Sequence, residues 1–169
     1  MRVELASEEH RESLADLLCE LHAYYNEGSS VSKELVRSYL ADALLAPESP
    51  LKLFVAARTD GEVAGLAALS LTYSLVEPSP EQRRQCWLKE LYVRSGCRGG
   101  GVGRALMSRV ARYALDNGCC RIDWPVKESN TRGIAFYECL GAMRVVERLS
   151  YRLSGPALRR LAGAPQQAP

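Results

Sequence analysis

Arg98-Gly-Gly-Gly-Val-Gly103 stands between two stretches of different period, and its reading decides the fold. Before it, Cys86 to Val93 reads as a strand. After it, Val102, Leu106, Val110 and Ala114 recur at helical spacing up to a stop at Asn117-Gly118. Glycines open backbone conformations closed to other residues and let the chain approach a ligand closely. The amides of Gly99, Gly101, Val102, Gly103 and Arg104 would then turn free N–H groups outward at the positive end of the helix. That is a cradle for an anion, and the Arg98 guanidinium suits phosphate. The bland alternative is a flexible turn; the strand before and the helix after favour binding.

Two other phosphate loops fail on the residues. A Walker-type loop ends in Gly-Lys-Ser/Thr, whereas Gly103 is followed by Arg104-Ala105. A dinucleotide fingerprint sits in the first strand-to-helix turn as Gly-x-Gly-x-x-Gly. Here the third position after Gly103 is Leu106, and two helical stretches precede the unit.

Working outward, Arg2 to Ala6 reads as a short strand, and Ser7 caps a helix whose buried face is Leu14, Leu17, Leu18 and Leu21. A second helix runs from Ser32 to Leu45. Leu53 to Arg58 and Val63 to Tyr73 form a hairpin around Thr59-Asp60-Gly61, and Val63 to Leu71 is apolar enough to be covered on both faces. Arg121 to Val126 reads as a strand, Thr131 to Leu140 as a helix, and Met143 to Val146 with Leu149 to Leu153 as two closing strands. The order is that of one mixed α/β domain, residues 1–155, whose strand–helix–strand centre implies a parallel pair. Residues 156–169 are a short tail, partly disordered.

At 169 residues, 47% hydrophobic and 25% charged, the composition is that of an ordinary globular domain. No apolar run approaches the roughly 20 residues that cross a bilayer, and the N-terminus is charged at once, so no membrane association and a cytoplasmic location are expected. The six cysteines lack a Cys-x-x-Cys pair, and the two histidines, His10 and His22, lie near one end; free thiols and no metal are expected. Residues 1–82 carry 6 Lys/Arg against 14 Asp/Glu, a balance of −8; residues 83–169 carry 16 against 6, a balance of +10. A basic half suits a polyanionic ligand, and an acidic half a cationic one, unless the two simply neutralise each other. The 18 arginines are scattered with few aromatics among them, so no nucleic-acid partner is expected.

Arg98-x-x-Gly101-x-Gly103, preceded by Trp87-Leu-Lys-Glu-Leu-Tyr-Val93 and followed by Asn130-Thr-Arg-Gly-Ile-Ala-Phe-Tyr137 and Gly141-Ala142, resembles the signature blocks of the GNAT superfamily of N-acetyltransferases. The three blocks come in order, and the element order matches too. The resemblance implies a central mixed sheet of about seven strands, with splayed parallel strands at its centre and helices on both faces. It implies acetyl-CoA as the acetyl donor, its pyrophosphate on the amides from Gly99 to Arg104 and its pantetheine arm on the backbone of Leu91 and Val93. Asn130 would bind that arm or a water. Glu90 matches the position of a catalytic base, and Tyr137 that of the tyrosine near the sulfur, a general acid. A glutamate paired with an arginine, and a tyrosine packed on Phe136, are the structural alternatives.

Glu20-Leu-His-Ala-Tyr-Tyr25 resembles the first helix of the spermidine/spermine and thialysine N-acetyltransferases, which would set Tyr24 toward the acceptor. Tyr25 and Lys89 stand where an acidic residue would hold a distal ammonium. An amino-acid-like primary amine is therefore favoured over a polyamine, with Lys89 available to an acceptor carboxylate. A peptide acetyltransferase and a non-catalytic acetyl-CoA sensor are the rival readings. Relatives are often dimers, so a homodimer is an expectation from resemblance alone.

Overall fold

The computed structural model describes residues 1–163. The chain divides into two units, Met1–Val126 and Lys127–Pro169.

The first unit is built on a five-stranded sheet in the order β1 (Arg2–Leu5), β2 (Lys52–Ala57), β3 (Val63–Tyr73), β4 (Arg84–Val93), β5 (Ile122–Asp123). The first three pairings are antiparallel and the last is parallel. Helices α1 (Arg11–Tyr25) and α2 (Lys33–Tyr39) cover one face, and α3 (Val102–Asp116) the other. Alternation along β2 divides the core. Leu53 and Val55 join Leu14, Leu17, Val36 and Leu40 on the α1/α2 side, while Phe54 meets the Tyr113 ring at 5.3 Å and Arg109 of α3 at 4.9 Å. Burying a side chain of that size stabilises the fold by about 1.5–3 kcal/mol. Val63 to Leu69 is buried without a break, as a strand covered on both faces must be.

Gly65 shows how closely α3 seats. A Cβ there would stand 2.7 Å from the Tyr92 carbonyl oxygen and 3.2 Å from side-chain carbons of Val102 and Leu106. The absent side chain is what lets the first turn of α3 lie on the sheet.

Several sequence expectations need correction. The sheet has five strands among the described residues and not seven: neither 143–146 nor 149–153 forms a strand. The alternation of apolar residues in those stretches satisfies a strand's side chains, but a strand also needs a neighbour for its N–H and C=O groups. None pairs with them among the described residues, and Met143 and Tyr151 are each 90% exposed. The strand expected over 121–126 pairs only at Ile122–Asp123, and Pro125 just beyond has no N–H to offer a ladder. The helix expected from Ser32 to Leu45 is α2 followed by a π-turn over Leu40–Leu44, closed by the Leu45 N–H on the Leu40 carbonyl at 2.8 Å.

The second unit holds α4 (Thr131–Glu138) and α5 (Gly155–Leu161). Of the tail expected to be partly disordered, 156–161 lies within α5, and from residue 164 it is outside the described residues. Among the described residues no helix is long and apolar enough to cross a membrane.

Candidate active site

The parallel pairing, between β4 and the last strand of the sheet, is brief. Cys86 pairs with Ile122 and Trp87 with Asp123; beyond Trp87, among the described residues, no strand lies beside that edge of β4. The Arg94 N–H goes to the Ala64 carbonyl of β3 at 2.9 Å. By antiparallel alternation the N–H and C=O groups of Leu91 and Val93 therefore turn to the open edge. Two of those four groups are held by side chains. The Leu91 N–H donates to Glu90 Oε1 at 3.1 Å, and the Val93 carbonyl accepts from Arg98 Nε at 3.0 Å.

A β-bulge aims Glu90. Ala68 pairs with Glu90 and the next residue, Leu69, with Leu88, so Lys89 is the extra residue and stands exposed. Glu90 itself is half-buried on the face covered by α1 and accepts a hydrogen bond from the Tyr25 hydroxyl at 3.4 Å. Burial lifts its carboxyl above the usual carboxylate range, against the opposing pull of Tyr25, the Leu91 N–H and Lys89. No arginine pairs with it among the described residues, so the structural pairing considered from sequence is not what holds it there.

Around Glu90 the aromatic groups interlock. Tyr24 meets Tyr25 edge-on with centroids 5.2 Å apart and leans on Tyr92 at 5.8 Å. The Arg98 guanidinium lies over both Tyr24 (5.8 Å) and Tyr92 (5.4 Å), which with the Val93 bond fixes where the glycine loop begins. Glu20 ties α1 to the other end of that turn. It accepts from the Ser95 N–H at 2.8 Å, the Tyr92 hydroxyl at 3.0 Å and Arg94 at 3.5 Å. Burial opposes its ionisation, but these donors hold its carboxyl below the ordinary value. Burial and the same Glu20 push the Tyr92 phenol up to about 12.

The glycine loop opens directly into α3. Gly99 and Gly101 have φ of +84° and +81°, a region where other residues are strained, and Gly101 is the N-cap of α3. Val102, Gly103 and Arg104 form the first turn, which carries no acidic residue to compete for its free N–H groups. The N–H groups of that turn lie at the positive end of a 15-residue helix, which favours an anion.

Asn130 and Tyr137 belong to the second unit. Asn130 caps α4, its Oδ1 accepting from the Gly133 N–H at 2.9 Å, and the bond depends on Gly133 having no side chain. Tyr137 lies seven residues on, two helical turns along the same side, half-buried, with its ring 5.2 Å from that of Phe136.

Sequence reasoning missed the bulge, the Glu20 hub and the Tyr25–Glu90 bond. All three join residues far apart in the chain, and only the Glu-Leu-His-Ala-Tyr-Tyr stretch on α1 hinted at two of them. Glu4, Glu9 and His10 bring potential metal ligands within 4.8 Å of one another, although the His10 ring already bonds Ser7 through Nδ1 at 2.9 Å and faces Glu4 through Nε2 at 3.4 Å.

The chain belongs to the Acetyltransferase (GNAT) family, whose model matches residues 12–142. It is 36% identical over 83 residues to the thialysine N-epsilon-acetyltransferase of Bos taurus, an alignment spanning 47% of this chain and 49% of that protein. The chain thus spans about half the length of that relative. It is 32% identical over 122 residues to the aminoglycoside N(6')-acetyltransferase type 1 of Stenotrophomonas maltophilia, covering 70% of this chain and 72% of that one. Among solved structures, the integron cassette protein VCH_CASS6 from the mobile metagenome of V. cholerae superposes with a TM-score of 0.86 over 96% of this chain and 98% of that chain, at 28% identity.

Proposed function

We propose that this protein is an acetyl-CoA-dependent N-acetyltransferase acting on the primary amine of a small molecule, amino-acid-like or a diamine. The observation that carries the reading is Glu90, a carboxylate with a raised pKa, seated at a bulge beside an open strand edge that runs straight into a glycine-built anion cradle. Relatives named for thialysine and aminoglycoside acetylation support a small amine acceptor.

An alkyl amine with a pKa near 10 is mostly protonated at pH 7, and exposing its lone pair costs about 4–5 kcal/mol. Glu90, its carboxyl raised above the usual range by burial, is suited to take that proton directly or through water. Acetyl-CoA supplies the thioester carbonyl that the freed amine attacks. Its pyrophosphate would rest on the N–H groups from Gly99 to Arg104, and its arm on the free carbonyl of Leu91 and N–H of Val93. Tyr137 supplies the proton that the departing thiolate needs, and Asn130, already a helix cap, keeps its Nδ2 for the arm or a water. Tyr24 and Lys89 flank the acceptor. Residues 1–155 act in this reading as one acetyltransferase domain. A homodimer is part of it, supported by the exposed apolar side chains of Met143, Val146, Leu149 and Tyr151.

The test is acetylated product by mass spectrometry with acetyl-CoA and a panel of amino-acid-like amines, diamines, polyamines and short peptides. Product with small amines supports the proposal. Product with peptides alone moves the reading to a peptide acetyltransferase, and acetyl-CoA binding without any product moves it to a sensor.

A further inference from the structure

Gly99, Gly100 and Gly101 are consecutive, and glycine loses more conformational freedom on ordering than any other residue. A cradle built from such a run has to be held at both ends. The far end is fixed, because Gly101 is the N-cap of α3. The near end leaves a single 3-10 turn, Ser95–Cys97, whose own N-cap residue, Arg94, makes no side-chain cap bond. The cap comes instead from α1. Glu20 Oε1 accepts from the Ser95 N–H at 2.8 Å and from the Tyr92 hydroxyl at 3.0 Å, while Oε2 meets Arg94 at 3.5 Å. Tyr24, four residues on and on the same side of α1, adds to the grip. Its ring leans on Tyr92 at 5.8 Å and lies 5.8 Å from the Arg98 guanidinium.

We infer that Glu20 is a positioning residue for the acetyl donor: by capping the Ser95–Cys97 turn from α1, it holds the entry of the glycine loop in its donor-binding shape. It acts through Ser95 and Tyr92 and not by contact with the donor. A loop that is already ordered loses less entropy when its ligand arrives, so the effect falls on donor affinity. The two short bonds also say which property of Glu20 matters. Both converge on Oε1, an acceptor that glutamine keeps. Aspartate keeps the charge but is one methylene shorter and falls short of Ser95. The position of the oxygen, more than its charge, therefore sets the turn. The inference rests on the reading of Gly99 to Arg104 as the seat of the pyrophosphate.

The experiment is calorimetric titration of the full chain with CoA. Glu20→Gln should bind within about threefold of the unaltered chain, and Glu20→Asp and Glu20→Ala at least about tenfold more weakly, the size of one or two lost hydrogen bonds. Should Glu20→Ala fail to fold, the contrast between the glutamine and aspartate variants carries the test. Ser13→Ala controls for stability alone. Ser13 Oγ accepts from the Val63 N–H at 2.8 Å, another bond between α1 and the sheet but away from the turn. That variant should lower the unfolding midpoint and leave the Kd for CoA unchanged. Hydrogen exchange at the Ser95 amide should quicken in Glu20→Asp and not in Ser13→Ala. Equal CoA binding by Glu20→Asp and the unaltered chain overturns the inference and leaves the cradle standing. So does tighter binding by the aspartate variant than by the glutamine one, or a loss in Ser13→Ala as large as in Glu20→Asp. No CoA binding by the unaltered chain removes the cradle reading, and the inference with it.

Discussion

Glu90 shows how a single side chain can be placed at the expense of stability. Its carboxyl is raised above the ordinary value by burial, so the folded chain binds the proton more tightly than the unfolded one. Its contribution to stability is therefore most favourable below the unfolded pKa and is lost as pH rises through the folded value. Glu90→Gln should raise the unfolding midpoint at pH 8, with the gain vanishing by about pH 4. The same variant should lose about 10²–10⁴-fold in kcat and also lose the acidic limb of the rate–pH profile, which stopped-flow or coupled assays would record. A variant with full rate and an unchanged limb would falsify the role of base. Tyr137→Phe, half-buried and packed on Phe136, should fold normally by circular dichroism yet drop in kcat with little change in the KM for acetyl-CoA.

At the scale of elements, the seat of α3 on the sheet is the point of least tolerance. Gly65→Ala drives a methyl group against the Tyr92 carbonyl, and backbone cannot step aside as a flexible side chain can. A loss of about 1–3 kcal/mol in denaturant unfolding is expected. Gly101→Ala is the complementary case. Nothing stands within 4 Å of the added carbon, so any cost comes from φ of +81° alone, about 1–2 kcal/mol. Its larger effect should be a raised KM for acetyl-CoA, because the strain is relieved by moving the N–H groups of the cradle. These glycines also mark what was legible. Gly99 and Gly101 announce their geometry in the sequence, because a strand-to-helix turn rich in glycine has few other physical reasons to exist. Gly65 carries no such mark: its need arises from the Tyr92 carbonyl of β4 and from Val102 and Leu106 of α3, all distant in the chain. The bulge at Lys89 was hidden for the same reason, since register belongs to a pair of strands and not to either one. The stretches 143–146 and 149–153 were misread because alternation describes side chains and is silent on whether a neighbouring backbone exists.

Across the whole molecule, the charge division read in the sequence has a measurable counterpart. The cradle and most of the arginines lie in the half with a balance of +10, and the α1–α2 region lies in the half with −8. Binding of a polyanionic acetyl donor should weaken as salt shortens the reach of those charges, to about 8 Å at physiological ionic strength. Donor affinity measured at several salt concentrations checks this, and no salt dependence would count against the cradle.

The open edge of β4 past Trp87 has one more consequence. A sheet whose last strand stops short has hydrogen-bonding capacity to spare, and a molecule that fills the gap becomes, in effect, part of the backbone framework. At a hundred times its Kd such a molecule should add about 2.7 kcal/mol to the unfolding free energy, with slowed hydrogen exchange concentrated at Leu91 and Val93. The donor can therefore be sought by heating the protein with one acyl-CoA after another, before any acceptor is known.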